Sequence, residues 1–431
     1  MIRLLEIRAA ARRVVGAVLL CGLSFGAAAG GQEAQWVGTW ATAGSTTGPF
    51  DAPVTAPNDQ TIRHIARISV GGKALRVWLS NAKGTAPLTV GAVSIGVQDT
   101  GAAVQPSSLR AVTFGGAASV TIAPGAKVLS DAVNLAVADL ADLAISVYLP
   151  DGATDPASPV TNHVRAIQTA YVLGGDQTGV ADPFVDGTIT SYFYLTGVDV
   201  TAKAAMPVIA VLGDSIANGD ESTPDANQRW PNLLAERIHR RGGSGLPRAG
   251  VLNLGISGNQ VTATLVGDSA QARLDRDVLT QTGVTHLIVM AGINDLGLPG
   301  LLNLIGIPTA LIPAEAVIAG YQQIIARAKA RGLVVIGGTL TPSGGFPLPD
   351  YFTPAADTKR QQINDWIRSS GAFDHVIDFD AVLRDPANPA LMRADLTADG
   401  LHPNDAGYQA MADAVPLKLF RPVGYGQRKS R

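Results

Sequence analysis

The chain of 431 residues contains a single cysteine, Cys21. One thiol excludes an intrachain disulfide and any thiolate-rich metal site, so stability has to come from a buried core. Charge is also scarce, at 16% of residues with a formal net charge of -2. No electrostatic footprint for nucleic acid is present, and nucleic acid is set aside as a partner. Long apolar runs are missing too. The most extended, Val14 to Phe25, is shorter than the roughly 18 to 20 residues a spanning helix needs, so no stable membrane span is expected.

That short run has its own meaning. Arg3, Arg8, Arg12 and Arg13 precede it, and the small residues Gly26-Ala27-Ala28-Ala29 follow. A basic start, an apolar middle and a small-residue end are the pattern of a secretory signal peptide, here residues 1–30, which places the protein outside the cytoplasm, secreted or periplasmic. Arg12-Arg13 leaves a twin-arginine route open beside the general one. Leu20 stands where lipoprotein attachment wants a small residue before the cysteine, so Cys21 is not expected to be lipidated. Cleavage would leave a mature chain without a thiol.

From 31 to 203 helical periodicity is scarce and short strand patterns dominate. Thr61 to Val70, a Gly71-Gly72 turn and Leu75 to Leu79 read as a β-hairpin. Pro87 to Val90, Ser119 to Ile122 and Leu143 to Leu149 continue the theme between Gly, Pro, Asp and Asn. A β-sandwich or jelly-roll-like domain is the expectation for this half. Trp36, Trp40 and Trp78 are either core aromatics or a sugar-stacking platform.

After Ala204 strands alternate with helices. Val208 to Leu212, Val251 to Leu254, His286 to Met290, Leu333 to Ile336 and Val376 to Phe379 read as strands. Arg229 to Arg241, Ala314 to Arg331 ended by Gly332, Pro354 to Ser370 and Asn404 to Val415 read as helices. This alternation predicts an α/β domain over 204–422 with a doubly wound parallel sheet, followed by a tail at 423–431. One stretch breaks the rhythm. Leu296 to Ala314 has no charged residue, and Pro299, Pro308 and Pro313 with Gly297, Gly300 and Gly306 argue against a continuous helix. It is read as an apolar loop that either packs on the β domain or forms an acyl-binding wall or lid.

Four blocks carry chemistry. Leu212-Gly213-Asp214-Ser215 puts a serine on a turn after an apolar strand, and Asp399 stands three residues before His402 in the segment Gly400 to Asp405. A serine nucleophile, a histidine base and a carboxylate that orients it are what acyl transfer needs. Between them lie Asn253-Leu254-Gly255-Ile256-Ser257-Gly258-Asn259 and Gly292-Ile293-Asn294-Asp295, each expected on a loop at a strand end. Blander readings exist for every member. Ser215 alone is also a good helix N-cap, Gly258 a turn glycine, and Asn294 a turn-capping amide. Asp399 and His402 could be a metal pair, but no further ligands at zinc-like spacing accompany them, and metal is rejected. His64, His163, His239, His286 and His375 lack such a setting and are read as structural. Asp214, Asn253 and Asp295 are read as supporting residues that brace the loops.

In this order and spacing the four blocks resemble the SGNH hydrolases, also called the GDSL esterase and lipase family, from about Met206 to Phe420. The resemblance implies the flavodoxin-like parallel fold, no cofactor, and three oxyanion donors: the backbone N–H groups of Ser215 and Gly258 and the side-chain amide of Asn294. Trp36 to Ala41, Leu79 to Ala82, Thr339 to Pro342 and Asn364 to Arg368 are similar to a secreted bacterial subgroup with a β domain in front, described as arylesterases or acylhydrolases. The implied substrate is a small acyl or aryl ester, or an ester on a plant polysaccharide. An acyltransferase to sugar hydroxyls would use the same triad, and a non-catalytic carbohydrate-binding envelope protein with a relic hydrolase fold is a third reading.

Overall fold

The computed structural model describes residues 35–241 and 248–420. The expected signal peptide with Cys21 and the expected tail at 423–431 lie outside the described residues.

The strands Val208–Gly213 and His286–Met290 are buried at every position. A run with no polar face fits only where both sides of a sheet are covered, which is the condition of a parallel sheet between helices. Five parallel strands form it, in the order Gly250–Gly255, Val208–Gly213, His286–Met290, Val334–Gly338, His375–Ile377. In chain order this is second, first, third, fourth, fifth, the doubly wound arrangement whose ligand crevice opens at the carboxyl ends where the winding reverses.

The helices are α1 (Ser215–Asn218), α2 (Trp230–Arg241), α3 (Ala270–Arg273), α4 (Ile293–Leu304), α5 (Ala314–Ala330), α6 (Pro354–Ser369), α7 (Phe379–Leu383) and α8 (Asp405–Ala414). Among these described helices none is long and apolar enough to cross a membrane. α5 ends as its sequence predicts. Gly332 adopts φ +77°, and its N–H and that of Leu333 donate to the carbonyls of Lys329 and Ala328, closing the helix with orphan carbonyls satisfied.

Before this sheet the strands are antiparallel. They make a six-stranded and a four-stranded sheet with two small two-stranded pairs, and Ile62, Val77, Leu79, Val93, Ile145 and Val198 meet in one apolar core.

The structure corrects the expected hairpin. Gln60–Arg67 pairs with Ala170–Gly174 and Asp142–Leu149, whereas Leu75–Ser80 pairs with Leu195–Ala202 and Lys127–Leu129 in the other sheet. Gln60–Arg67 is buried at six of its eight positions and takes a neighbour on each side, which a hairpin alone does not supply. Gly71-Gly72 is a crossing point: the Gly71 N–H donates to Asp139 Oδ1, and Gly72 bridges Val137. The reading of 296–314 as a loop is also corrected. Its first part is α4, with Pro299 buried inside. Leu296, Leu298 and Leu302 are buried too, and this packing outweighs the local cost of Pro and Gly.

The described residues all belong to one compact unit. The Gly38 N–H donates to the Thr282 carbonyl and the Val251 N–H to Ser69 Oγ, and one apolar core holds Val37 and Leu79 together with Leu252, Leu287 and Val335.

Candidate active site

The first strand of the parallel sheet delivers the serine. Asp214 caps α1, its Oδ1 accepting the Ile216 N–H at 3.1 Å, so Ser215 is the first helical residue and the cap is its neighbour. Its Oγ lies 2.9 Å from His402 Nε2 instead. Burial pushes the Asp214 carboxyl up to about 7 against the pull of the Ile216 N–H and the nearby His402.

His402 comes from the loop that enters α8. The three-residue spacing from Asp399 closes on itself: Asp399 Oδ1 accepts the N–H groups of Leu401 and His402 at 2.9 and 2.7 Å, while Oδ2 lies 2.7 Å from His402 Nδ1. This fixes the imidazole with Nδ1 protonated and Nε2 turned to the serine. Burial alone would lower the His402 pKa, but the hydrogen bond its Nδ1–H donates to Asp399 and the charges of Asp220, Asp399 and Asp214 leave it above its ordinary value. For Asp399, burial pushes upward and is outweighed by His402 and the backbone donors, so its carboxyl sits below the usual range.

Gly258 and Asn294 border the same cleft as Ser215 and His402. Gly258 holds φ +78°, a backbone state that favours glycine. Asn294 lies at the N-terminal end of α4, with Nδ2 donating to the Asn259 carbonyl at 3.1 Å. The three supporting residues all make bracing bonds. Asn253 donates to the Ala217 carbonyl at 2.7 Å and accepts from Gly255 N–H. Asp295 accepts from Val261 N–H, Thr262 N–H and the Thr262 hydroxyl at 2.6 to 2.9 Å, tying the loop of Gly258 to α4. Asp214 caps the nucleophile turn as above.

The cleft has a volume of about 220 Å³. In its lining Val266, Leu298, Leu301, Phe346 and Leu401 pack together as one apolar cluster, while Arg165 with Asp51 and Asp220 forms a charged group. Arg165 Nε donates to Asp51 Oδ1 at 2.7 Å, and both residues come from the antiparallel part of the chain. Trp36, Trp40 and Trp78 do not line this cleft. Trp40 packs edge-on against Tyr192, while Arg76 covers Trp36 and Lys127 covers Trp78.

Several residues that hold the site had no distinguishing pattern in the sequence. Arg273 is fully buried and donates to the carbonyls of Gly213 and Leu254 and to Asn259 Oδ1, clamping the ends of two strands. Asn218 joins three segments, accepting at Oδ1 in its 2.8 Å bond to His163 Nε2 and donating to the Arg165 carbonyl, to Asp220 and to the Ser257 hydroxyl. Burial lowers the His163 pKa despite that bond, and the ring also meets the Ala43 carbonyl through Nδ1 at 3.2 Å. Only Asp220, an acid just after the serine block, offered a signal.

A hydroxyl, an imidazole and a carboxylate in one hydrogen-bonded line, beside amide donors, can form and cleave an acyl-oxygen bond. The family comparison agrees in class. Residues 211–410 match the GDSL-like Lipase/Acylhydrolase family and constitute a domain of that family. No curated protein matches the sequence. Solved structures similar to part of the chain include a GDSL-like lipase from Bacteroides thetaiotaomicron, at 18% identity, 49% of this chain, 87% of that one and TM-score 0.36. An acetyl xylan esterase, AlAXEase, matches at 19% identity, 48% of this chain, 96% of its own and TM-score 0.37. A lipolytic G-D-S-L family member from Veillonella parvula matches at 21% identity, 49% and 96% coverage and TM-score 0.34.

Proposed function

We propose that the protein is a carboxylic ester hydrolase working through an acyl-serine intermediate. The observation that carries this reading is the line from Ser215 Oγ through His402 to Asp399, at 2.9 and 2.7 Å. Ser215 Oγ attacks the ester carbonyl as its proton passes to His402 Nε2, and the carbonyl electrons move onto oxygen. The N–H groups of Ser215 and Gly258 and the Asn294 amide then receive the oxyanion. Collapse expels the alcohol, which takes the proton back from His402. Water, deprotonated by the same nitrogen, repeats the sequence and frees the acid.

The cleft's chemistry supports a division of the substrate. Its apolar cluster fits a short to medium acyl group, and the charged group of Arg165, Asp51 and Asp220 fits a polar alcohol such as a sugar hydroxyl. An ester on a polysaccharide and a small acyl or aryl ester both satisfy this. With the basic and apolar leader at 1–30, the enzyme acts outside the cytoplasm.

The test is hydrolysis of p-nitrophenyl acetate by wild type and Ser215→Ala, with a serine-directed phosphonate as label. Expected are a loss of about 10⁶-fold in kcat, the scale for a lost triad nucleophile, and labelling at Ser215 alone. Substantial turnover by the variant, or label on another serine, rejects the assignment.

A further inference from the structure

Asn294 can serve an oxyanion only if its amide keeps Nδ2, not Oδ1, toward the cleft. A reversed amide would place a partial negative charge against the developing one. The Asn259 carbonyl, which can only accept, selects Nδ2 on one side at 3.1 Å. On the other side the Tyr351 hydroxyl donates to Asn294 Oδ1 at 2.9 Å. Both residues are buried.

The surroundings are shaped to admit this tyrosine. α4 carries Gly297 and Gly300, one turn apart on the face that meets the 350 turn. A Cβ at Gly297 would lie 2.6 Å from Tyr351 Cζ, and one at Gly300 would overlap the Asp350 carbonyl. Asp350 itself holds φ +59°, a strained state for a non-glycine residue. Two glycines in a helix and a left-handed aspartate each cost stability, and all three serve to seat the Tyr351 ring against the start of α4. The ring packs edge-on on Phe346 at 5.0 Å, and Phe346 packs edge-on on His402 at 6.1 Å. One segment between the fourth strand and α6 therefore reaches both the imidazole and the amide.

We propose that Tyr351 is a positioning residue for ester hydrolysis, its hydroxyl locking the Asn294 amide with Nδ2 toward the oxyanion and the glycine pair of α4 making room for it. This rests on the oxyanion role given to Asn294 above. Burial holds the Tyr351 pKa well above its ordinary value, so the hydroxyl stays a donor through the working pH range.

The experiment is a double-variant cycle with p-nitrophenyl acetate, using Tyr351→Phe, which keeps the ring and removes only the hydroxyl, Asn294→Ala, and the pair. Tyr351→Phe is expected to lower kcat about 10-fold with KM little changed, less than the roughly 10²- to 10³-fold for removing a donor outright. In the Asn294→Ala background the same change is expected to have no further effect, since nothing remains to be oriented. The rate of inactivation by a p-nitrophenyl phosphonate, whose P=O needs the same donors, should fall in parallel, and a melting curve reports the fold. Tyr351→Phe with kcat near wild type, or with a loss that multiplies fully with that of Asn294→Ala, overturns the proposal. If Asn294→Ala itself leaves kcat unchanged, it is the oxyanion role of Asn294 that fails.

Discussion

Asp399 and Asp220 act on one imidazole from different places. Asp399 holds His402 Nδ1 directly at 2.7 Å, whereas Asp220 is fixed by Asn218 and Ser257, each at 2.7 Å, and adds only its charge. Both keep the His402 pKa above its ordinary value. The neutral ring is the base, so kcat/KM should rise with pH through that raised pKa and fall on the acid side of it. Asp399→Asn removes a negative charge and an oriented acceptor. The acid limb should move to lower pH, with a plateau reduced by up to about 10⁴-fold as in other triads. A pH profile from 5 to 9 checks this, and a limb that stays put or moves upward would show that Asp399 does not set the titration. Asn294→Ala differs in kind: kcat should drop about 10²- to 10³-fold while KM stays near wild type. A loss mainly in KM would make Asn294 a ground-state contact.

At the scale of elements, α4 is where sequence and structure part, and the reason is physical. Proline and glycine content argued for a loop, but Leu296, Leu298 and Leu302 are buried, Leu296 in the main core and Leu298 in the cluster with Tyr351 and Leu401, and Gly297 and Gly300 accept Tyr351 and Asp350. Those partners are remote in sequence, so no local rule could see them. The same holds for Gly71-Gly72, whose neighbours are Asp139 and Val137, and for Arg273, whose acceptors come from two strands and a loop. By contrast, the unbroken apolar runs of the first and third parallel strands, the Gly332 stop and the spacing of Asp399 and His402 are patterns contained within a few residues of chain, and these were legible. The α4 geometry also separates two adjacent leucines. Leu301 lines the cleft, and Leu302 is buried in the helix packing. Leu301→Ser should lower kcat/KM for octanoate esters several-fold more than for acetate, since each buried methylene contributes about 0.8 kcal/mol, with little change in Tm. Leu302→Ser should instead cost about 2 to 5 kcal/mol of stability and scale all chain lengths alike. Equal loss on acetate and octanoate for Leu301→Ser would remove α4 from the acyl wall.

Across the whole molecule, the antiparallel part does more than precede the hydrolase domain. It supplies Arg165 and Asp51 to the cleft, and His163 to the amide of Asn218 in the serine-bearing α1 at 2.8 Å. Its strand Gln35–Ala41 hydrogen-bonds across to Thr282, and its apolar side chains share a core with Leu252, Leu254 and Leu287. Residues 204–420 alone would therefore expose part of that core to water. At about 1.5 to 3 kcal/mol for each large apolar side chain uncovered, a handful is enough to exceed the roughly 5 to 15 kcal/mol net stability of a domain. The fragment 204–420, expressed beside 35–420, is expected to be insoluble or to melt far below it, and to lack phosphonate-reactive Ser215. Supplying 35–203 in trans should restore labelling, because the missing contacts are packing and hydrogen bonds with no covalent part. A soluble 204–420 that melts cooperatively and reacts at the full rate would mean the antiparallel part is dispensable for the site, leaving to it only its share of the charged group in the cleft.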